Sequence, residues 1–235
     1  MNTETFSCEN YSIKYLTIEE TNKLIEERGY KSSNELKDTE SSDLVPNVYE
    51  GGFKVWECSL DICSYLIKYS STINFKNKRV LELGCGAGLP GIIASLLGAT
   101  KICFQDFNES VLKCFTEENV KINGINNKYI EYVSGDWSLL SDSLEKSKNK
   151  YDIILTTETI YCEDNYEKLH NVFVNGLENS GNSVIFLGAK IHYFGVGGSV
   201  YTFMDFLENK GIFKSEIIYK TTTSIPRLIL KITRK

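Results

Sequence analysis

The sequence predicts a doubly wound α/β fold with a mostly parallel, seven-stranded sheet that ends in a C-terminal antiparallel hairpin. Three observations carry this prediction. Apolar strands alternate with amphipathic helices from about residue 57 onward, a glycine-rich turn follows the first of these strands, and two strand-like segments close the chain. Because the crossover helices of parallel strands cover both faces of a sheet, a ligand is expected at the carboxyl ends of the strands.

The periodicity of apolar residues places the elements in order. After a helix over residues 57–69, the parallel strands are predicted at 79–83, 101–107, 129–134, 152–156 and 183–189. Further helices are predicted at 90–97, 108–123, 165–177 and 200–209. Asn108 is expected to cap the second of these helices and Gly124 to end it. Segments 213–220 and 228–232 form the final hairpin, and Pro226 lies in their connection.

The length of 235 residues suits one sizeable α/β core and is short for two domains with linkers. Residues 1–43 are rich in Ser, Thr, Asn, Glu and Lys, so we expect a partly disordered extension there and a folded domain over 44–235. Inside the extension, Thr17 and the two glutamates after it predict a short helix over 17–28. Residues 31–43 are expected to be a linker.

Composition excludes several classes of protein. A hydrophobic fraction of 42% and a charged fraction of 24% are ordinary for a soluble protein, and we expect neither a membrane span nor a signal peptide. The net charge of −5, without a dense Lys/Arg stripe, argues against nucleic-acid binding and is compatible with a basic protein substrate. The seven cysteines form no CxxC pair, which predicts reduced thiols in an intracellular protein and no metal site. A monomer is expected.

The most informative motif is the turn after the first parallel strand, with glycines at Gly84, Gly86, Gly88 and Gly91. These glycines remove the Cβ atoms that would keep a ligand away from the backbone, and Pro90 suits the first turn of the next helix. A dinucleotide site has similar glycine spacing, so the glycines do not decide the cofactor. Glu82 favours S-adenosylmethionine, because a carboxylate repels a pyrophosphate and suits an amino group or a sulfonium.

Polar and aromatic side chains follow the next two strands at the same edge. Asp106 can accept hydrogen bonds from both ribose hydroxyls, with capping of the next helix as the alternative, and Phe107 can pack on adenine. Asp136 can accept a hydrogen bond from the adenine amino group. Trp137 can close the pocket, with a structural role in the core as the alternative.

Three other segments are candidates for the reaction and for the substrate. Glu158 and Tyr161, after the fourth strand, are expected beside the transferable methyl group as catalytic residues; a helix cap and a core tyrosine are the alternatives. The paired glycines of segment 48–57 precede a helix whose N–H groups can receive a carboxylate. The loop 190–198, rich in glycine and aromatic residues, suits a lid or a substrate rim. A structural role is favoured for His192 in this loop, and packing or surface exposure for the other histidine, His170.

Six segments together resemble the eukaryotic protein-histidine N-methyltransferase family, whose members modify a histidine of a large-subunit ribosomal protein. They are YEGGFKVWEC (49–58), ELGCGAGLPG (82–91), QDF (105–107), GDW (135–137), TETIY (157–161) and HYFGVGG (192–198). The first and the last are the more specific, since many methyltransferases share the glycine loop. The resemblance spans roughly residues 44–235, whereas longer relatives carry extra N-terminal sequence. The open sheet with its final hairpin is likewise the Rossmann-like layout of class I methyltransferases.

This resemblance implies S-adenosylmethionine as the cofactor and a set of residues that contact it. The implied contacts are Val55, Trp56, Glu57, Cys58, Ser59, Gly84, Gln105, Asp106, Phe107, Gly135, Asp136, Trp137 and Thr157, to which the motif analysis adds Glu82, Gly86 and Gly88. Residence in the cytoplasm, the nucleus or both is expected.

For a histidine acceptor, we expect a neutral imidazole nitrogen to attack the sulfonium methyl in line. Because the imidazole pKa is near 6.5, positioning matters more than a strong base. Glu158 would accept a hydrogen bond from the other ring N–H and fix which nitrogen attacks. Two alternatives remain open: methylation of a protein lysine on the same scaffold, and a binding protein that keeps the pocket and holds a ribosomal protein.

Overall fold

A computed structural model of the chain describes residues 1–30, 49–125 and 129–235. It begins with an antiparallel hairpin of β1 (Thr3–Cys8) and β2 (Tyr11–Leu16), followed by helix α1 (Ile18–Glu27). The helix starts as predicted, because the Thr17 hydroxyl accepts a hydrogen bond from the Glu20 amide. The hairpin is absent from the elements predicted above. The linker predicted over 31–43 and the start of order predicted near 44–46 lie outside the described residues.

Two asparagines hold the N-terminal hairpin against the rest of the protein. Asn119 accepts a hydrogen bond from the Leu16 amide at 2.9 Å and donates to the Ala87 carbonyl at 3.0 Å. Asn123 accepts from the Lys14 amide at 2.8 Å and donates to the Lys14 carbonyl at 2.6 Å. The apolar side chains of β2 and α1 join the main core as well. The first 30 residues are therefore packed on the sheet-bearing unit, while a domain boundary at residue 43 stays a prediction.

From residue 57 onward, helices and strands alternate. In chain order they are α2 (Glu57–Lys68), α3 (Ser70–Ile73), β3 (Arg79–Leu83), α4 (Leu89–Leu96), β4 (Lys101–Asp106), α5 (Glu109–Val111), α6 (Glu117–Ile122), β5 (Ile130–Ser134), α7 (Trp137–Ser147), β6 (Ile153–Thr157), α8 (Tyr166–Gly176), β7 (Val184–Lys190), α9 (Val200–Lys210), β8 (Phe213–Lys220) and β9 (Arg227–Arg234). A π-helical turn, Leu112–Thr116, joins α5 to α6, and a 3-10 turn, Glu163–Asn165, precedes α8.

Seven strands form one sheet in the order β5-β4-β3-β6-β7-β9-β8. The pairs among β3 to β7 are parallel, and β9 pairs antiparallel with both β7 and β8. The predicted fold class is confirmed, and each predicted parallel strand lies within one residue of its expected bounds. The chain runs outward from β3 to β5 and then returns to β6 on the other side of β3, so the strand order reverses beside β3. That reversal opens a crevice at the carboxyl ends of these strands.

Two local predictions are corrected. Helix α7 was not expected, because Asp136 and Trp137 were assigned to a ligand; Asp136 also accepts a hydrogen bond from the Ser138 amide and caps this helix. Asn108 does precede a helix, but its side chain makes no capping hydrogen bond. Instead the Asp106 carboxylate accepts from the Asn108 amide at 3.3 Å.

The core lies on both faces of the sheet, as the period-2 alternation of its strands requires. In β3, Val80 points to the face covered by α2 and α4, whereas Leu81 points to the face covered by α7 and α8. No helix in the described ranges is long and apolar enough to cross a bilayer. All seven cysteines belong to the described residues and are unpaired, five of them buried.

Candidate active site

A cleft lies at the carboxyl ends of β3, β4, β5 and β6, where the strand order reverses. Its floor is the glycine loop after β3, and its walls come from the segment before α2 and from the turns after β4, β5 and β6. The residues that line it are Glu50, Gly51, Gly52, Lys54, Val55, Trp56, Ser59, Gly84, Cys85, Gly86, Ala87, Leu89, Asp106, Phe107, Gly135, Asp136, Trp137, Thr157, Glu158, Thr159, Tyr161 and Asn165.

The glycine loop has a conformation that side chains would obstruct. Gly86 has φ +48°, and a Cβ there would lie 3.0 Å from the Gly52 carbonyl oxygen. Gly88 has φ +72°, and its Cβ would lie 2.8 Å from the Thr116 side chain. These two glycines serve different purposes, because Gly86 lines the cleft while Gly88 allows close packing behind it.

Glu82 does not face the cleft, contrary to the expectation that it meets the ligand. It shares the face of β3 with Val80, so its side chain lies under α4, where Oε2 accepts the Gly91 amide at 2.7 Å. Burial raises the pKa of this carboxyl well above its usual range, against the opposing effect of the Gly91 hydrogen bond. Glu82 therefore fixes the start of α4 beneath the loop.

Asp106, at the end of β4, lies on the cleft wall but is only 4% exposed. Its two carboxylate oxygens accept hydrogen bonds from the Gly86 amide at 2.9 Å and from the Asn108 amide at 3.3 Å. Burial raises its pKa to about 6, and these backbone hydrogen bonds limit the rise. Asp106 thus joins the glycine loop to the next helix, which is close to the capping role weighed as the alternative to ribose binding.

Gln105 lies behind the cleft and links three of its parts. The side-chain oxygen accepts hydrogen bonds from the Trp137 indole at 2.9 Å and from the Gly84 amide at 3.4 Å, and the side-chain nitrogen donates to the Gly135 carbonyl at 2.8 Å. The side chain is buried, so it is not a wall residue. Gln105 positions the loops after β3 and β5 relative to each other.

Asp136 and Lys168 form an ion pair at 2.8 Å beside the turn after β5. Burial alone would raise the Asp136 pKa, but hydrogen bonds from Lys168 and Ser138 outweigh it and lower the pKa. This carboxylate is charged and half-buried on the cleft wall, so it can still accept a hydrogen bond from a ligand.

Trp56 is the main aromatic group of the wall that precedes α2. Its indole donates a hydrogen bond to the Gly51 carbonyl at 3.0 Å, and the ammonium groups of Lys54 and Lys190 lie 4.6 and 5.0 Å from its ring centre. Trp56 is also the N-terminal flanking residue of α2; its side chain makes no cap, and its carbonyl oxygen accepts the Ser59 amide at 3.0 Å.

The turn after β6 carries both predicted catalytic residues. Glu158 has φ +58°, a left-handed conformation that non-glycine residues adopt rarely, and one of its carboxylate oxygens accepts the Tyr193 hydroxyl at 2.5 Å. The other oxygen is 3.8 Å from the Lys190 ammonium. Tyr161 donates its hydroxyl to the carboxylate of Glu50, which bridges two walls of the cleft.

The loop after β7 is fastened to this turn. The Gly198 amide donates to the Tyr161 carbonyl at 2.9 Å, and an added Cβ at Gly198 would lie 2.1 Å from the Ile160 carbonyl oxygen. The tip of the loop projects Phe194, which is 84% exposed. His192 is exposed at the base of the loop, whereas His170 is buried against the rings of Phe206 and Phe213 and does not line the cleft.

Comparison with known proteins identifies the family. A family model described as "Lysine methyltransferase" matches residues 45–208. The chain belongs to this family. It is 42% identical over 198 residues to the histidine protein methyltransferase 1 homolog of Dictyostelium discoideum, with 83% of this chain and 62% of the relative covered. The homolog of the same name from Bos taurus is 38% identical, with 83% and 58% covered. The chain therefore spans about three fifths of the length of these curated relatives.

The fold is shared with solved methyltransferase structures. Magnesium protoporphyrin IX methyltransferase from Synechocystis superposes with a TM-score of 0.60 at 15% identity, covering 88% of this chain and 98% of that one. At this identity the likeness concerns the fold alone.

For this family member, the predicted cofactor contacts divide into two groups. On the cleft wall are Val55, Trp56, Ser59, Gly84, Gly86, Asp106, Phe107, Gly135, Asp136, Trp137 and Thr157. Outside the cleft lining are Glu57, Cys58, Glu82, Gly88 and Gln105, and the last four of these are buried behind the wall. Cys58 is fully buried at the start of α2, and Glu57 turns outward to Lys190 at 3.4 Å.

Several wall residues were not predicted as contacts. This group consists of Glu50, Lys54, Thr159 and Asn165, together with residues of the segment before α2 and of the glycine loop after β3. Glu50 stood in the motif YEGGFKVWEC, and its acidic side chain before paired glycines was the available signal. Asn165 lay at the expected start of a helix and gave no signal.

Proposed function

We propose that this protein is an S-adenosylmethionine-dependent methyltransferase that modifies a histidine side chain of a protein. The observation that carries the proposal is the glycine-floored cleft at the strand reversal, in a chain that is 42% and 38% identical to two relatives named histidine protein methyltransferase 1 homolog. Because the chain spans about three fifths of those relatives, the activity is inferred for the cleft rather than transferred from a whole protein.

The cleft suits S-adenosylmethionine chemically. Its floor is bare backbone at Gly84 and Gly86, where a Cβ at Gly86 would crowd the opposite wall. Phe107 and Trp137 offer aromatic surfaces for adenine, and Asp136 offers a charged acceptor. The N-terminus of α2, next to Trp56, carries a positive partial charge that favours a carboxylate. We assign these groups to holding the cofactor.

When bound, S-adenosylmethionine supplies a methyl group on a sulfonium, and the carbon–sulfur bond breaks with its electron pair left on sulfur. The protein must hold the acceptor nitrogen in line with that methyl group and exclude water from it. Glu158 and Tyr161 are the residues that we place at the acceptor end of the cleft. Tyr193 and Gly198 hold that end in shape through Glu158 and Tyr161.

We further propose that the substrate is a basic protein, and specifically a large-subunit ribosomal protein, methylated in the cytoplasm or nucleus. The net charge of −5 and the exposed Phe194 beside the cleft support a protein partner. A monomeric enzyme without nucleic-acid partners is part of the same proposal.

The test is the transfer of tritium from labelled S-adenosylmethionine into a purified mixture of ribosomal proteins, followed by acid hydrolysis of each labelled band. Label in methylhistidine supports the proposal and identifies the substrate. The control is Gly86→Val, which fills the floor of the cleft and is expected to abolish labelling. Absence of label with intact cofactor binding contradicts the enzymatic proposal and favours a binding protein.

Lysine methylation is the second candidate, favoured by the description of the matching family model. A lysine ammonium, with a pKa near 10.4, must lose a proton before it attacks, so turnover is expected to climb between pH 7 and 9. A histidine acceptor is mostly neutral above pH 7, and its turnover is expected to level off near pH 7.5. Label in methyllysine would decide for this candidate.

A further inference from the structure

Two tyrosine–carboxylate pairs stand at the acceptor end of the cleft. Tyr193 donates to Glu158, and Tyr161 donates to Glu50. The two tyrosine rings meet edge to face, with centres 6.4 Å apart. Of these two carboxylates, the sequence patterns predict a catalytic role only for Glu158.

The Glu158 carboxylate makes one hydrogen bond and one ion pair within the protein. One oxygen accepts the Tyr193 hydroxyl at 2.5 Å, and the other faces the Lys190 ammonium at 3.8 Å. The side chain is only 6% exposed. This second oxygen is buried and accepts no hydrogen bond in the described part of the chain, so the Lys190 ammonium is its charge partner, while the Tyr193 bond fastens the loop after β7 to the turn after β6.

Glu50 is differently placed. It is half-buried on the cleft wall, in the segment that crosses the glycine loop, where the Gly52 carbonyl approaches Gly86. Its partner Tyr161 remains a protonated donor, because burial and the hydrogen bond to Glu50 raise the tyrosine pKa. The titratable groups that also act on this pair are Asp106 at the tip of β4 and Cys162 after Tyr161. This part of the cleft wall thus carries the carboxylates of Glu50 and Asp106, and the Lys54 ammonium belongs to the same lining.

We propose that Glu50, held in place by Tyr161, is the carboxylate that accepts the N–H of the acceptor imidazole and takes its proton after methyl transfer. This inference rests on the proposed function. The attacking nitrogen uses its lone pair for the new N–C bond, and the ring becomes a methylimidazolium. The N–H bond on the other ring nitrogen then breaks, its electron pair stays on the ring, and the proton passes to a Glu50 oxygen and on to water. Glu50 is the catalytic residue and Tyr161 a positioning residue.

The test compares Glu50→Gln with the matched control Glu163→Gln, an exposed glutamate near Tyr161 that lies outside the cleft wall. Turnover is measured from pH 5.5 to 9 with the substrate identified by tritium labelling. Glu50→Gln is expected to lower kcat about 100-fold, within the range for a general base, with unchanged affinity for S-adenosylhomocysteine. Glu163→Gln is expected to match the wild type.

The pH midpoint separates this role from a structural one. A carboxylate beside the bound imidazole favours its cationic form and raises the pH at which turnover is half-maximal. Glu50→Gln is therefore expected to move that midpoint down by about one pH unit, and Glu158→Gln to leave it in place. Tyr161→Phe is expected to give a smaller loss of kcat, and the double variant with Glu50→Gln no further loss.

Three outcomes overturn the inference. They are a Glu50→Gln variant with wild-type turnover, a reduced turnover with an unmoved midpoint, and a midpoint shift in Glu158→Gln instead. If Glu50→Gln melts far below the wild type, the pH of half-maximal turnover is measured in Tyr161→Phe instead, in which the Glu50 carboxylate is still present. An unmoved midpoint in that variant also counts against the inference. A wild-type protein that labels no histidine contradicts the proposed function itself, before Glu50 is tested.

Discussion

Tyr193 and Glu158 are joined by a 2.5 Å hydrogen bond that fastens the loop after β7 to the turn after β6. The bond spans 35 residues of sequence and ends on a residue with positive φ. A conformation of this kind persists only where its surroundings hold it, and here Tyr193 and the Lys190 ammonium do so. The shape of the acceptor end therefore depends on contacts behind the cleft.

Replacement of Glu158 by alanine is expected to lower turnover about 100-fold while the affinity for S-adenosylhomocysteine stays nearly intact. The reason is that the loop after β7 loses its tie to the turn and the acceptor nitrogen is misplaced. Calorimetric titration and steady-state kinetics measure the two quantities. Glu163→Ala serves as the control on an exposed glutamate, and an equal loss of affinity and turnover would instead assign Glu158 to cofactor binding or folding.

Gly198→Ala is expected to disturb the same end of the cleft from the other side. The new Cβ would lie 2.1 Å from the Ile160 carbonyl oxygen, so the loop must move away from Tyr161. We expect a loss of about 2 kcal/mol in the free energy of unfolding, as for other overpacked sites, together with reduced turnover. Gly181→Ala, where a Cβ meets nothing within 4 Å, is the matched control in denaturant titrations. Equal stability of the two variants would contradict the prediction.

Gln105→Leu is expected to weaken cofactor binding without removing any wall residue. The change leaves the Trp137 indole, the Gly84 amide and the Gly135 carbonyl without their side-chain partner. Each unpaired buried group costs about 1–3 kcal/mol, so the melting temperature and the affinity for S-adenosylhomocysteine should both fall.

Trp137→Phe tests the route of this effect, because it removes one of the same hydrogen bonds from the other end. In a double-mutant cycle, the double variant should lose less affinity for S-adenosylhomocysteine than the sum of the losses in Gln105→Leu and Trp137→Phe. Strict additivity would mean that Gln105 acts independently of the indole.

Asp106 is expected to make stability depend on pH in the ligand-free protein. Burial raises its pKa to about 6, above the value near 3.9 of an unfolded chain. Between these values the folded protein binds more protons than the unfolded chain, so the free energy of unfolding falls as the pH rises through this window. Thermal melts at pH 5 and pH 7 measure the difference in the free energy of unfolding between the wild type and Asp106→Asn. This difference should favour the wild type more at pH 5 than at pH 7, by at most about 3 kcal/mol. A constant difference would contradict the raised pKa.

Much of the fold was predictable because the parallel strands are short apolar runs bounded by glycine and polar residues. The strand over 79–83 was placed correctly to the residue, and the final hairpin was found with Pro226 in its connection. The N-terminal hairpin was not predicted, since its strands are rich in polar residues and gain their stability from Asn119 and Asn123, more than 100 residues away. The periodicity of a single sequence gives no information about hydrogen bonds between residues so far apart in the chain.

The candidate site was predicted in position but less well in detail. Motif reasoning finds which strand ends carry polar residues, but it does not tell which side chains face the cleft. Glu82 illustrates this, because the pleat of β3 turns it under α4. Gln105 differs again, since its three hydrogen bonds hold the walls together from behind. The acidic partner of Tyr161 came from a segment over 100 residues earlier in the chain.

Among the described strands, β8 forms one margin of the sheet and shows a register irregularity between Ile217 and Tyr219 against β9. Both side chains are more than one third exposed. An edge strand with exposed apolar side chains can pair with a strand of another molecule through its unpaired backbone groups. A bulge twists the edge strand locally, so that these groups no longer align with a partner strand. Lys214 and Lys220 add charge that a partner strand would have to bury. The irregularity thus protects the protein against edge-to-edge aggregation at high concentration.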